Sequence, residues 1–466
     1  MMIMELKFWE NDYFKQEKTT IISILILIIL LSLAPFAITD PTTAFQTFLL
    51  GIVLSSIYLT TSIGFSLIFG VAKQFKLSIG GYYVIGAYTM VFLQNAIAVS
   101  LGFSINDPIT SGLLLLILLM PIIIILLTVF LLFRYFEEIL VFKFLFVCSP
   151  LITLAGISIL SHSFASGLFS GLAIACLVLA GWYLEFNKKP TIIIILFISI
   201  LNPIFYFIFN FTVIYINLVI VATFFTAVLA MLADRYLIDR IRSSTVNIMI
   251  VTFALAIIFQ SFVSLMSYPK NGTSFAIFGT GTHNVDTIVV KSDIMIIFGA
   301  GINTVKVFSL IVFIFVLILL FVFINYSRIG LAIKAVSQDE VASSLAGINI
   351  KKITMIVSGI GMGLVGLAAV LTSSFSAIPI WNPNMGWTIL IFAIVVVTLG
   401  GMGSLSGTVI ASLILGLSTV LVSILNITIF SITIDSTYAI IVPLVIVILV
   451  MIIKPYGLFG KKEGQT

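Results

Sequence analysis

The side chains of this chain that could do chemistry are few and mostly neutral. Ser55, Ser56, Tyr58, Thr60 and Ser62 crowd one apolar stretch, and Thr252, Gln260, Ser358 and Thr398 stand singly in others. Away from water, such hydroxyls and an amide could hydrogen-bond a polar solute. Their competing use is a bond to the carbonyl one helical turn back. Among them Ser55, Tyr58, Ser62, Gln260 and Thr398 are the expected lining of a solute pathway. His162 and His283 are far apart and have no companions at ligand spacing, so no metal site is expected. Cys148 and Cys176 read as buried thiols. No G-x-x-x-x-G-K-[ST] phosphate loop occurs, so the chain is expected neither to hydrolyse ATP nor to bind a cofactor itself. Glu137, Glu138, Glu185 and Asp435 fall at the ends of apolar stretches or in loops. Proton- and voltage-driven proteins place ionisable groups inside their bundles, so that chemistry is not expected. A sodium site of carbonyls and hydroxyls at a broken helix stays open.

The elements that must position these groups follow from composition. Of 466 residues, 61% are hydrophobic and 8% charged, against about 25% charged in a soluble chain. The apolar stretches run to roughly 20 residues, enough to cross about 30 Å of hydrocarbon. Backbone groups in lipid must be satisfied internally, which makes such stretches helices. The expected fold is all-α, a polytopic transmembrane helical bundle of about 14 spans in a lipid bilayer. The spans are expected near 20–38, 46–69, 80–103, 111–133, 144–160, 164–184, 191–209, 212–233, 246–267, 305–325, 353–374, 380–400, 408–425 and 437–453. The span at 380–400 holds Pro383 and Gly386 and reads as short or re-entrant. Gly359, Gly363 and Gly366, with Ala368 and Ala369, make a small-residue face for close helix packing. Trp182, Trp381, Trp387, Tyr82 and Tyr83 fall near span ends, where aromatic belts form. Met1 to Lys18 mixes acidic and basic residues, and no cleavable leader is expected.

Orientation comes from the basic residues. With the N-terminus in the cytoplasm and sides alternating, only Lys270, Lys291 and Lys306 fall outside, leaving 19 of the 22 Lys and Arg within. The net charge of +5 therefore reads as the positive-inside rule and not as a nucleic-acid surface. Both termini are expected to be cytoplasmic, in a multi-pass protein of the cell membrane.

Two long loops break the rhythm. The external one, about Tyr268 to Asn303, is rich in Gly, Thr, Asn and Ser, with room for a docking surface or a short helix. The cytoplasmic one, 326–352, contains SRIGLAIKAVSQDEVASSLAGINIKK. Ser337 and Glu340 form an S-x-x-E capping box, which predicts a helix starting near Gln338. Asp339 and Glu340 suit the dipole of its first turn, and Gly347 is its expected stop.

The stretch from Ser327 to Asn349 resembles the cytoplasmic loop of branched-chain amino acid ABC permeases. Arg328, Gly330, Ala332, Lys334-Ala335-Val336, Gln338-Asp339, Ala342, Leu345 and Gly347-Ile348-Asn349 carry the likeness. Residues 49–90 look like the family's first core helices, Gly86-Ala87-Tyr88 included. Residues 234–242, DRYLIDRIR, are similar to its basic cytoplasmic turn. Gly400 to Gly407 resembles its glycine-rich turn, and Lys454-Pro455-Tyr456-Gly457-Leu458-Phe459-Gly460 its C-terminal signature. The resemblance implies a non-enzymatic importer subunit. In it, Arg328, Gly330, Lys334, Ser337, Gln338, Asp339, Glu340 and Gly347 belong to a loop that docks on separate ABC ATPase subunits, which use the ATP. It also implies a second permease subunit, identical or homologous, and an extracytoplasmic solute-binding protein. The organisation expected is 1–103 for the N-terminal tail and first core helices, 104–211 for additional spans absent from typical members, and 212–466 for the remaining core. At Lys76-Leu77-Ser78-Ile79-Gly80-Gly81 the family usually carries an Ala-His-Gly-Glu-like run, and the spelling here is closer to sugar permeases. A branched-chain or other hydrophobic amino acid is the expected cargo; a sugar or nucleoside, or a stand-alone secondary carrier, is the alternative.

Overall fold

A computed structural model describes Pro35 and residues 40–100, 211–242, 244–267, 294–297, 300–373, 382–424, 427–429, 432–434, 441–454 and 457–459. The spans expected at 20–38, 111–133, 144–160, 164–184 and 191–209 lie outside the described residues, apart from Pro35, and so do Trp182 and Trp381. The others become helices at the expected places: α1 (Pro41–Ala72), α2 (Ile79–Ser100), α3 (Phe211–Ala233), α5 (Thr245–Ser267), α6 (Thr304–Tyr326), α9 (Ile350–Ser373), α10 (Met385–Gly400), α11 (Leu405–Ile424) and α12 (Ile441–Ile453). Short helices fill two of the connections, with a π-helical turn (Asp234–Ile238) and α4 (Asp239–Ile241) after α3, and α7 (Arg328–Gln338) and α8 (Glu340–Leu345) after α6. Among the described residues, six helices are long and apolar enough to cross a membrane, while the apolar α10 is shorter. The chain is a polytopic helical membrane protein.

Two small hairpins depart from an all-helical chain. β1 (Ile294–Ile297) pairs antiparallel with β2 (Ala300–Asn303), and β3 (Ile427–Ile429) with β4 (Ile432–Ile434). The first lies at the end of the 268–303 stretch, where the sequence suggested room for a docking surface or a short helix. Its β-branched isoleucines favour the pleat over a helical turn.

By its internal contacts the chain divides into two compact units. The first comprises Met1–Ser66, Ile294–Leu310 and Phe392–Thr466. Its apolar core stacks Tyr58 on Phe392 with ring centroids 4.7 Å apart, over Val395, Val396, Leu399, Ala411 and Leu415. Gly401 and Gly403 turn the chain between α10 and α11 at φ +98° and +80°, a region open mainly to glycine. The C-terminal signature docks on this turn. The Leu458 and Phe459 amides donate to the Leu399 and Gly400 carbonyls at 2.8 and 3.1 Å.

The second unit comprises Leu67–Asp293 and Ile311–Ile391. In it α9 packs along α3 and α2. The small-residue face of α9 is the contact surface: a Cβ on Gly363 would meet the Ala227 Cβ at 3.1 Å, and one on Gly86 of α2 would meet the Gly366 Cα at 2.7 Å. Tyr82 and Tyr83 are buried rather than set in an aromatic belt, because this side of α2 faces protein. Tyr82 lies edge-on to Phe259 of α5 at 5.2 Å.

Candidate functional site

The 326–352 loop folds as two capped helices, not one. Ser327 is extended and its hydroxyl accepts from the Gly330 amide at 2.8 Å, starting α7. Ile329, Ile333 and Val336 recur at helical spacing and are buried, anchoring that face. Gly330 sits where a Cβ would strike the Phe323 and Ile324 carbonyl oxygens at the end of α6. Asp339 then breaks the helix at φ −147°, ψ 111°, and its carboxylate accepts from the Val341 and Ala342 amides at 2.8 and 3.0 Å. Asp339 is therefore the N-cap of α8, and the expected Ser337–Glu340 capping box does not form. The Ser337 hydroxyl instead donates to the Lys334 carbonyl at 2.8 Å. An N-cap needs extended backbone with a side-chain acceptor, and Asp339 meets both conditions while Ser337 is helical. Gly347, at φ +85°, ends α8 as expected. Its amide reaches the Ser344 carbonyl at 3.0 Å, and that of Ile348 the Ser343 carbonyl at 3.1 Å, a Schellman closure.

Arg328, Lys334, Gln338 and Asp339 are exposed, and the Lys334 ammonium donates to the Asn325 side-chain oxygen at 2.5 Å. Glu340 is tied down by Arg242, whose guanidinium donates to the Glu340 carboxylate at 3.2 Å and to the Thr354 hydroxyl of α9 at 3.0 Å. Asp239 stands 4.0 Å from the same guanidinium. Val341 and Leu345, one turn apart on α8, are 69% and 84% exposed. The loop thus holds up a short, rigid helix with two uncovered apolar side chains.

A buried charge cluster lies behind it. On the sequence Lys76 falls in a loop between spans and Asp234 opens the basic turn at 234–242, and the structure buries both at 2% and 6% side-chain exposure. The Lys76 ammonium pairs with the Asp234 carboxylate and donates to the Ser358 hydroxyl at 2.6 Å, while that hydroxyl donates to the other Asp234 oxygen at 2.9 Å. Burial pulls the Lys76 ammonium below the ordinary lysine value, and Asp234 opposes that shift. The connector itself turns on Lys73, which closes α1 in the left-handed region at φ +50°. Thr252 of α5 accepts from the Leu77 amide at 3.1 Å. Neither buried charge was foreseen, since each sits next to a span end and looks like a loop charge; the unusual Lys76–Gly81 spelling was the available signal.

The expected pathway residues are all buried or half-buried, Ser55, Tyr58, Ser62 and Thr398 in the first unit and Gln260 in the second. Ser55 donates to the Gly51 carbonyl at 2.7 Å and packs against Gly416. Thr398 donates to the Ile394 carbonyl at 2.9 Å. Tyr58 belongs to the aromatic stack of the first unit. Ser62 and Gln260 differ: the Ser62 hydroxyl and the Gln260 amide nitrogen are buried without a hydrogen-bond partner, as is the hydroxyl of Ser66, one turn beyond Ser62. Ser66 was not singled out in the sequence. Among the described residues, no cluster of His, Cys, Asp and Glu could hold a metal ion.

Comparison with known proteins decides the family. Residues 47–453 match the profile described as branched-chain amino acid transport system / permease component. The chain belongs to that permease family. The high-affinity branched-chain amino acid transport system permease protein LivH of Salmonella typhimurium strain LT2 is 29% identical to this permease over 254 residues, covering 53% of this chain and 77% of the relative. LivH of Escherichia coli K12 is 28% identical over the same length and shares. BraD, a permease of the same description from Pseudomonas aeruginosa, is 29% identical over 167 residues, covering 36% of this chain and 51% of its own. No solved structure matches the permease. The capped loop, Lys76 and Asp234 all fall inside the family match, and the permease is a multi-pass membrane component of an ABC transport system.

Proposed function

We propose that this permease is the translocating subunit of an importer driven by separate ABC ATPase subunits that dock on α8. The observation that carries this reading is the exposed Val341–Leu345 pair on a helix fixed by the Asp339 cap, the Gly347 closure and the Arg242–Glu340 bridge. Apolar side chains held out at a rigid cytoplasmic turn have no use in water, and a groove on a partner would bury them. Arg328, Lys334 and Gln338 of the preceding α7 are exposed as well and belong to the docking loop in this reading. The chain would have about 14 spans with both termini in the cytoplasm, pair with a second permease subunit, and receive solute from an extracytoplasmic binding protein. It binds no cofactor itself, and ATP is consumed by the docked subunits. A branched-chain or other hydrophobic amino acid is the cargo, in keeping with the printed descriptions of LivH and BraD. Ser62 and Ser66, one turn apart in the first unit, offer buried hydroxyls still available to its backbone groups. A sugar or nucleoside is the second reading, favoured by the Leu77-Ser78-Ile79-Gly80 spelling.

The test is co-purification with the candidate ATPase subunits, comparing wild type with Val341→Asp/Leu345→Asp. Both positions are exposed, so the variant should fold and lose the ATPase. If the wild type associates with no ATPase and, reconstituted alone, moves solute down a gradient, the chain is a stand-alone carrier and the reading fails.

A further inference from the structure

The geometry points to Lys76, Asp234 and Ser358 as positioning residues that carry movement of α8 into the connector at the start of α2. This rests on the reading of α8 as the ATPase-docking helix and adds the route by which docking reaches the bundle.

The route is a continuous polar chain inside the second unit. Glu340, the first residue of α8, accepts from Arg242 at 3.2 Å. Arg242 ends the short run that begins with the π-helical turn at Asp234. That run is fastened to one face of α9 at both ends: Arg242 donates to the Thr354 hydroxyl at 3.0 Å, and Asp234 accepts from Ser358, one turn further along, at 2.9 Å. Asp234 then pairs with Lys76, which lies between α1 and α2. A π-turn is an uncommon distortion that recurs at functional positions. Here it lies between the two fastenings, where a pull on Arg242 would be passed to Asp234.

A purely structural latch would not need charges. A buried ion pair is often no more stabilising than well-packed apolar residues of the same volume, and Gly359, next to Ser358, already packs against the apolar Met231 side chain. What a buried pair adds over grease is direction and a discrete rearrangement. Lys76 has Asp234 and Ser358 as partners, and Lys76 and Ser358 both donate to the one Asp234 carboxylate.

The experiment uses the assembled permease–ATPase complex, in a chain with Cys148 and Cys176 replaced by Ser. A single cysteine is placed at Ser344, exposed on α8, or at Lys73, exposed on the connector. Maleimide labelling is timed with and without ATP. Protection of Ser344→Cys by the ATPase reports docking, and the ATP response of Lys73→Cys reports transmission. In the otherwise unaltered chain, ATP should change the Lys73→Cys rate by about fivefold, within the usual range of coupling between sites. In Lys76→Met/Asp234→Leu that response should vanish while Ser344→Cys stays protected. Ser358→Ala, which keeps the pair, should give an intermediate response and decides the matter if the double variant does not fold. An undiminished ATP response in either variant overturns the proposal, and so does a Lys73→Cys rate that ignores ATP in a docked, unaltered chain. If Ser344→Cys is never protected, the docking reading itself has failed, and this route falls with it.

Discussion

At the scale of single residues, the exposed and the buried charges behave differently. Lys334 and Asp339 meet water and their contacts are local. Lys76 and Asp234 do not, so each depends on the other for solvation. Lys76→Ala should destabilise the protein by about 3–5 kcal/mol, because it leaves a buried carboxylate with one neutral donor. Lys76→Met/Asp234→Leu should cost less than that single change. Denaturation of the purified variants in detergent measures both, and equal losses would show that the pair is solvated after all. The glycines at helix crossings make a second residue-scale prediction. A side chain at Gly86 meets the Gly366 backbone, which cannot turn aside as a side chain can. Gly86→Val should therefore cost about 1–3 kcal/mol through overpacking and lower the thermal midpoint in the same assay.

At the scale of elements, α8 is six residues long, too short to hold itself together. Its order comes from its ends. Asp339→Ala removes the acceptor for two amides and should cost about 1 kcal/mol. Gly347→Ala forces a side chain into the left-handed region and should cost about 1 kcal/mol as well. Ser337→Ala should change nothing in α8, since that hydroxyl bonds within α7. Hydrogen exchange of the 340–348 amides separates the three: faster in the first two and unaltered in the third. Exchange accelerated by Ser337→Ala would restore the capping box that the sequence suggested. That box was a fair reading of S-x-x-E, and it failed because α7 runs on through Ser337 on the strength of its buried Ile329, Ile333 and Val336.

For the whole molecule, the family match runs across residues 47–453, and the motifs that carry the resemblance lie on either side of 104–211. We propose that this additional segment is peripheral to the permease core. A chain lacking 104–211 should then still be inserted, remain monodisperse in detergent and bind the ATPase subunits. Loss of ATPase binding in a folded deletion variant would make the segment part of the working core. The two compact units are not consecutive in sequence, so such a deletion removes residues from the second unit only, between α2 and α3.

What the sequence determined by itself is what depends on solvent and on neighbours along the chain. Long apolar runs must be helices in lipid, and the helices fall where the runs do, from Pro41–Ala72 to Ile441–Ile453. The glycine stop at 347, the shortness of the helix at Met385–Gly400 and the packing face of Gly359, Gly363 and Gly366 were legible for the same reason, since each is a property of one segment. What only the tertiary structure decided is which polar groups lose water. Lys76, Asp234 and Ser358 lie on three segments up to 282 residues apart, and nothing local distinguishes a buried lysine at a span end from a solvated one. The same holds for Ser62, Ser66 and Gln260, left without partners, and for Ser55 and Thr398, which bond their own helices. Burial is a property of what packs against a residue, and it is settled only when the segments have met.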